Sequence, residues 1–304
     1  MPSREHDSGE SSGPLHRPVL LREVLRYLDA QPGMTVVDGT VGAAGHSQEI
    51  LKHISPTGQL IGLDRDSMML GYASQSLDVA HCSLHQASYV ELPEILEKLE
   101  LSTVDRVLLD LGLSSDQLAD ENRGFGFESK GPLDLRFDIS RGEPAWKLIE
   151  QCKEAELADI LHNWGEERFS KQIAKRLTEQ RTKAPVRTAA ELVQAVCEAV
   201  PGAARSQARK NPATRVFQAL RIAVNDELQH LEEFLQEGLF SSLSPGGKAV
   251  VISFHSLEDR LVKNAFRDVK RWQNLTTKPV TASAVEQKVN SRSRTAKLRA
   301  AIKL

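Results

Sequence analysis

The chain has few cysteines and no long apolar run, and these absences exclude several classes of protein. Its 304 residues include 3 cysteines, which lie far apart and form no CxxC pair, so neither a disulfide framework nor a zinc cluster is expected. No stretch approaches the roughly 20 apolar residues that cross a bilayer. Residues 1–15 lack the apolar core of a secretory signal and are expected to form a disordered tail. We therefore expect a cytoplasmic protein with no membrane partner.

The formal net charge is also small, at −2, but the charged residues are unevenly distributed. Residues 168–224 hold 12 lysines and arginines against 3 glutamates, a local net charge of +9. Residues 260–304 hold 12 lysines and arginines against 2 acidic residues, a local net charge of +10. These two regions indicate either a basic surface for a polyanion such as a nucleic acid, or solvated helical faces that are basic by coincidence.

Short apolar runs alternate with helical patterns over the first 115 residues. Near-continuous apolar character is typical of strands that are buried on both faces of a parallel sheet. The predicted strands are Met34–Asp38, Gln59–Asp64, Cys82–His85, Val104–Asp110 and, much later, Lys248–Phe254. The alternation predicts a doubly wound α/β domain.

The alternation lapses between residues 116 and 214, where the pattern is mostly helical. This region is too long for one crossover, so we expect an inserted helical domain within an α/β domain made of residues 16–115 and 215–304. A single helix is expected from Thr214 to Glu237, followed by a turn at residues 244–247. Its polar stripe, which faces solvent or lines a cleft, carries Arg215, Gln218, Arg221 and Asn225.

Ligands of open α/β sheets bind beyond the carboxyl ends of the strands, and two motifs stand there. The segment DGTVGAAGH at residues 38–46 lets a backbone approach a ligand, or simply makes a tight turn. It matches neither G-x-G-x-x-G nor the P-loop. Asp64 follows about 20 residues later, where it can accept the hydroxyls of a ribose or cap the next helix. Together they predict an adenosine cofactor, and the missing diphosphate fingerprint favours S-adenosylmethionine over NAD.

The fourth predicted strand ends in the polar motif DLGLSSDQ, residues 110–117. Enzymes that methylate exocyclic amines usually place a short polar motif here, because the amine lone pair is delocalised into the base. Asp110 and a carbonyl of Leu111 or Gly112 could accept both N–H groups and aim the lone pair at a methyl donor. The alternative is that Asp110 forms an Asx turn.

With further motifs along the chain, these residues resemble the bacterial small-subunit ribosomal RNA cytosine-N4 methyltransferases (RsmH, also called MraW). The resemblance runs from residue 16 nearly to residue 304 and includes VDGTVGAAGHS, LIGLDRD, LLDLGLSSDQL, RGFGFESKGPLDLRFD, GEERFSKQIAKRL, NPATRVFQALRIAVNDEL, PGGKAVVISFHSLEDRLVK and RSRTAKLR. It implies S-adenosylmethionine-dependent transfer to the N4 amine of a cytidine in the decoding region. It also implies the class I methyltransferase fold with an inserted helical domain.

Carried over by position, the resemblance also implies the residues of the cofactor site. The implied cofactor contacts are Ala44, Gly45, His46, Asp64, Tyr89, Asp110 and Gln117, with Asp110 also catalytic. The family usually has glycine where Ala44 stands and histidine where Asn211 stands. Around Tyr89 the spacing differs from the family's by about one residue.

RNA contacts are predicted at Arg187, Arg205, Arg209, Lys210, Arg215 and His255. His255, just past the last predicted strand, either touches the target base or is structural. Phe125 and Phe127 either stack on a flipped base or anchor a loop. An acidic and basic group, Asp134, Arg136 and Asp138, either contacts substrate as a lid or forms a surface ion-pair network. Trp146 and Trp164 are expected in the core.

We therefore predict a ribosomal RNA methyltransferase whose partner is the small ribosomal subunit and whose chemistry needs no metal. The rival hypothesis is a non-catalytic, nucleotide-responsive ribosome-binding factor, and a DNA amine methyltransferase is a nearer alternative. The oligomeric state stays open, with a homodimer among the alternatives.

Overall fold

The computed structural model describes residues 18–78, 80–206 and 211–304, and a seven-stranded sheet lies at its centre. The strands are β1 (Thr35–Asp38), β2 (Gln59–Asp64), β3 (Cys82–Gln86), β4 (Val104–Asp110), β5 (Leu243–Ser253), β6 (Trp272–Asn274) and β7 (Lys297–Lys303). Their order is β3-β2-β1-β4-β5-β7-β6, and β7 runs antiparallel to both of its neighbours. This arrangement confirms the predicted class I methyltransferase fold. The tail predicted for residues 1–15 lies outside the described residues.

Helices cover both faces of the sheet because successive strand residues point to opposite sides. Val36 packs against α1 and α2, whereas Val37 packs with the cluster that includes α4, α12 and α14. The helices before the inserted region are α1 (Leu21–Leu28), α2 (Gly45–Ile54), α3 (Ser67–Ser76), α4 (Leu92–Lys98) and α5 (Ser115–Ala119). The later ones are α6 (Ala145–Gln151), α7 (Glu154–Asn163), α8 (Ser170–Arg181), α9 (Ala189–Ala199), α10 (Gly202–Ser206), α11 (Thr214–Asn225), α12 (Glu227–Glu233), α13 (Leu239–Ser242), α14 (Ser256–Ala265) and α15 (Ala284–Val289).

A third apolar cluster lies among α6, α7, α8, α9 and the first half of α11. Ile149, Leu157 and Ile173 are almost fully buried in it. Phe217 and Leu220 of α11 belong to the same cluster, although they follow residue 214. We propose residues 116–214 as the inserted domain, with α11 packed against its core.

The helix expected from Thr214 to Glu237 is interrupted, so that prediction is wrong. Asp226 adopts a left-handed conformation with φ 52°, which ends α11 and starts α12. Asn225 is buried beside the break, where its amide donates to Leu135 O and accepts the Phe137 N–H. These tertiary hydrogen bonds override the helical periodicity and turn Glu227 inward.

The turn expected at residues 244–247 lies inside the long strand β5. Pairing shifts from Val104 opposite Leu243 to Arg106 opposite Lys248, so a bulge absorbs the additional residues. Among the described helices, none is both long and apolar enough to cross a bilayer.

Candidate functional site

A cleft opens at the carboxyl ends of β1, β2 and β4, as the sheet topology predicts. It has a volume of about 970 Å³, including the part open to solvent. Its walls include six of the residues predicted to bind the cofactor, namely Gly45, His46, Asp64, Tyr89, Asp110 and Gln117. Ala44 is buried behind the turn and does not line the cleft.

The Gly-rich turn owes its shape to two left-handed residues, Gly42 with φ 51° and Ala44 with φ 68°. A non-glycine residue in this region costs about 1–2 kcal/mol because its Cβ crowds the carbonyl oxygen. Ala44 N–H donates to Val41 O, and Ala44 then caps the start of α2. Ala44 therefore holds a backbone conformation that glycine would adopt without this strain.

Asp64 is not the helix cap, because Asp66 caps α3 by accepting the Met68 N–H. One Asp64 oxygen accepts the Gly42 N–H and the other accepts the Asp66 N–H, each at 2.9 Å. Burial raises the pKa of Asp64 to about 6, although these two hydrogen bonds oppose the rise. The carboxylate thus fixes the turn and still lines the cleft, where ribose hydroxyls could reach it.

Asp110 lies at the end of β4, close to the Gly-rich turn. Its backbone N–H donates to Thr40 Oγ1 at 2.6 Å, and its Oδ2 lies 3.6 Å from His46 Nε2. Asp38, at the end of β1, accepts a hydrogen bond from Ser47, and burial raises its pKa. Three strand-end carboxylates, those of Asp38, Asp64 and Asp110, therefore surround the turn. Asp64 and Asp110 line the cleft, whereas Asp38 is buried and does not.

Tyr89 and Gln117 form parts of the wall. Tyr89 begins a short 3₁₀ turn after β3, and its ring packs on Phe234 with centroids 5.3 Å apart. Gln117 accepts the Ser114 N–H and donates to Asp66 Oδ2. Its amide is therefore bound within the protein, so its contribution to the wall is chiefly structural.

The lining residues that sequence reasoning missed include Phe137, Glu227, Glu258 and Arg292. Glu258 is buried and accepts the Phe254 and His255 N–H groups, while His255 Nε2 lies 3.1 Å from its other oxygen. Burial by itself would raise the pKa of Glu258, but His255 and Arg221 lower it below its ordinary value. The one available signal was the capping-box spacing of His255 and Glu258.

Glu227 and Arg221 form a buried bidentate ion pair beside the cleft, with both N–O distances at 2.8 Å. Glu227, His255 and Glu258 bring possible metal-ligand atoms within 4.8 Å of one another. Both Glu227 oxygens are already bound by the guanidinium, however. In the described part of the chain this group is therefore best understood as an ion-pair network.

Four of the six predicted RNA contacts, Arg187, Arg205, Arg215 and His255, lie in the described part of the chain. Arg187 pairs with Glu150 at 2.7 Å and lies 3.8 Å from the Trp146 ring centroid. Arg205 is exposed on α10, whereas Arg209 and Lys210 lie outside the described residues. Arg215 and the segment that begins at His255 do come together, because Glu166 bonds both Arg215 and Ser256.

The aromatic and charged residues after α5 anchor loops. Phe125 is buried and stacks on Phe137 with centroids 6.0 Å apart, and Phe127 meets Phe217 edge-on. Arg136 binds both oxygens of Asp134, and Asp138 accepts hydrogen bonds from Ser140. Trp146 and Trp164 are half-buried against the third apolar cluster. These contacts favour the loop-anchor alternative over base stacking.

The chain is similar over most of its length to known proteins. Residues 14–304 match the MraW methylase family. Ribosomal RNA small subunit methyltransferase H of Thermotoga neapolitana is 46% identical over 289 residues, which cover 94% of this chain and 95% of the relative. The protein of the same name from Trichlorobacter lovleyi is 43% identical over 309 residues, covering 95% and 98%. The crystal structure of TrmN from Thermus thermophilus is 15% identical, with a TM-score of 0.45 over 94% of this chain and 48% of that one.

Proposed function

The chain belongs to the MraW methylase family, and on that premise we propose that it methylates the N4 amine of one cytidine in the decoding region of small-subunit ribosomal RNA. It is an S-adenosylmethionine-dependent methyltransferase that acts on ribosomal RNA. The observation that carries the proposal is that Asp64 and Asp110 line one cleft. One carboxylate suits a ribose and the other suits an amine.

The residues of the cleft fit the proposed cofactor. Asp64 would accept the ribose hydroxyls, and the ring of Tyr89 would lie beside the adenine. The carboxylate of Asp110 lines the cleft, where its negative charge would suit the sulfonium. When bound, S-adenosylmethionine supplies an electrophilic methyl group.

Asp110 would act on the target base. A cytosine amine is a poor nucleophile because its lone pair is conjugated with the ring. By accepting one N–H, with a backbone carbonyl of Leu111 or Gly112 accepting the other, Asp110 would turn the lone pair toward the methyl group. Gly112 matters for this geometry because a Cβ there would lie 2.6 Å from the Phe254 ring. Residues 110–112 can therefore lie close against the end of β5.

We further propose the small ribosomal subunit as the partner and the cytoplasm as the location. The cytosine must leave its stack to reach Asp110, and the basic regions would hold the surrounding backbone. Residues 116–214 would serve as the substrate-recognition domain. A homodimer stays a prediction.

The deciding experiment incubates the enzyme with labelled S-adenosylmethionine and undermethylated small subunits, followed by nucleoside analysis. The expected product is N4-methylcytidine. A methyl group on a ring carbon would contradict the role of Asp110. Tight subunit binding without any label transfer would favour the non-catalytic ribosome-binding factor, and preferential labelling of DNA would favour the DNA enzyme.

A further inference from the structure

A carboxylate from the inserted region contacts α14, the helix that supplies Glu258 to the cleft wall. Glu166, in the turn between α7 and α8, accepts the Ser256 hydroxyl at 2.5 Å and Arg260 Nη2 at 3.2 Å. Arg215 Nη1 donates to the backbone oxygen of the same residue at 3.0 Å. The Glu166 side chain is thus bound by a hydroxyl and a guanidinium of α14, and Arg215 of α11 binds the backbone of the same residue.

The position of these donors relates them to the reaction. Ser256 follows His255 directly and comes two residues before Glu258, which lines the cleft. The side chains of Glu166 and Arg260 are 44% and 60% exposed, so a ligand can reach them from solvent. Ser256 and Arg260 therefore belong to the helix that supplies Glu258 to the cleft wall.

The carboxylate is held there at a conformational cost. Glu166 has φ 49°, in the left-handed region that a residue with a Cβ rarely adopts. The hydrogen bond from Ser256 lowers the pKa of Glu166, and Arg260 and Arg215 lower it further, so the group is charged at neutral pH. An exposed ion pair of this kind is weak and can be exchanged for another anion.

We propose that Ser256, Arg260 and Arg215 bind a backbone phosphate of the substrate RNA next to the target cytidine, and that Glu166 occupies this place until the RNA displaces it. The proposal rests on the proposed function, because it takes RNA as the ligand. A phosphodiester presents anionic oxygens to the Ser256 hydroxyl and the Arg260 guanidinium that now bind the carboxylate, and Arg215, which binds the backbone of Glu166, lies beside them. Glu166 would then act as an internal competitor that weakens RNA binding.

The test measures affinity for undermethylated small subunits as a function of salt concentration. Glu166→Gln should bind about two- to five-fold more tightly, the range that corresponds to removing one surface ion pair that the phosphate must break. Arg260→Gln should bind more weakly and lower the slope of log affinity against log salt by about 0.7. In the Glu166→Gln/Arg260→Gln double variant the gain should largely disappear.

Glu237→Gln is the matched control. It also removes an exposed carboxylate paired with an arginine, Arg271, at 2.8 Å, and so changes the net charge equally. If Glu166→Gln binds no more tightly than this control, Glu166 is a tie between helices and the proposal is wrong. Thermal unfolding checks that each variant is folded. Glu166→Asn provides a second test of the proposal, because asparagine tolerates the left-handed backbone conformation at this position.

The proposed function and the phosphate site would be contradicted by different results. A wild-type enzyme that transfers no methyl group to the subunits would contradict the methylation itself. An unchanged salt slope in Arg260→Gln, with normal methylation by the wild type, would contradict the phosphate site alone.

Discussion

Asp64 and Gly42 connect the end of β2 to the turn after β1, because a carboxylate oxygen of Asp64 accepts the Gly42 N–H at 2.9 Å. The same carboxylate lines the cleft in which a ribose would lie. One ionisable group therefore has two tasks, the shape of the Gly-rich turn and the binding of the cofactor. Its charge should control both.

Cofactor affinity should fall as the pH falls, because burial raises the pKa of Asp64 to about 6. If only the ionised carboxylate binds the ribose, affinity at pH 5 should be about tenfold weaker than at pH 7. Asp64→Asn should bind weakly at both pH values and lose this dependence. Calorimetry across this pH range measures the affinity, and a wild-type affinity that does not change with pH would contradict the ribose role.

The folding stability of the cofactor-free protein should depend on pH in the opposite direction. Because the pKa of Asp64 is raised in the folded state, the contribution of this carboxyl group to stability decreases as pH rises from 3.8 to about 6.

Asp110→Ala should reduce the single-turnover methylation rate by about 10²–10³, the range observed when a positioned hydrogen-bonding group is removed from an active site. RNA affinity should change much less, because the loss belongs mainly to the transition state. Cofactor affinity must be measured in parallel, since Asp110 also lines the cofactor cleft. Wild-type turnover in a variant saturated with both substrates would remove Asp110 from the mechanism.

Arg205→Gln should weaken binding to the subunit and lower the salt slope by about 0.7, if this exposed arginine meets single-stranded backbone. Arg187→Gln should have a smaller effect on the slope, because its guanidinium already binds Glu150 and lies over Trp146. Filter binding at several salt concentrations measures both. Equal slopes in Arg205→Gln and the wild type would place the RNA elsewhere, with the basic residues 260–304 as the next candidate.

Asn225→Ala should destabilise the protein by about 2–4 kcal/mol, because it leaves the Phe137 N–H and the Leu135 carbonyl without their buried partner. Urea unfolding measures the change. Gln31→Ala is the control, since its amide bonds are exposed and its loss should cost well under 1 kcal/mol. A loss as small as that of the control would mean that Asn225 does not hold the helix break.

Initial rates should be much higher on an assembled small subunit than on naked ribosomal RNA or a short hairpin. Phosphate contacts position an RNA without reading its sequence, so selection must come from folded shape and from one unstacked cytidine. Matched amounts of the three substrates provide the comparison. Equal rates on all three would contradict recognition by shape.

The parallel strands could be predicted because strands buried on both faces consist of near-continuous apolar runs, which are visible in the sequence. Strands β2 and β4 begin and end at the predicted residues, since both faces of each strand are covered by helices. The sequence analysis does not predict strand β7, because its charged residues interrupt the apolar run that is typical of a buried strand. Arg299 within β7 is nevertheless 4% exposed and is paired with Asp259 at 2.6 Å.

The cofactor side of the site was predictable for a topological reason, and the opposite wall was not. Asp64 and Asp110 end parallel strands, and such ends meet at one edge of the sheet. Glu227 reaches the cleft only because α11 breaks at Asp226, which depends on hydrogen bonds between residues about 90 positions apart. Phe137 likewise comes from a loop whose position no local pattern determines.

Helix α11 also sets a limit on how this protein could be recombined with its relatives. Phe217 and Leu220 pack into the core of the inserted helices, while Arg221 on the same helix holds Glu227 at the wall of the cleft. A chimera joined at residue 214 would give the grafted helices a foreign neighbour and leave a gap or a clash beneath them. A junction at Asp226 would transfer α11 together with the inserted helices. Arg221 and Glu227 would then come from different parents, so the two parents would have to supply a compatible ion pair at these positions.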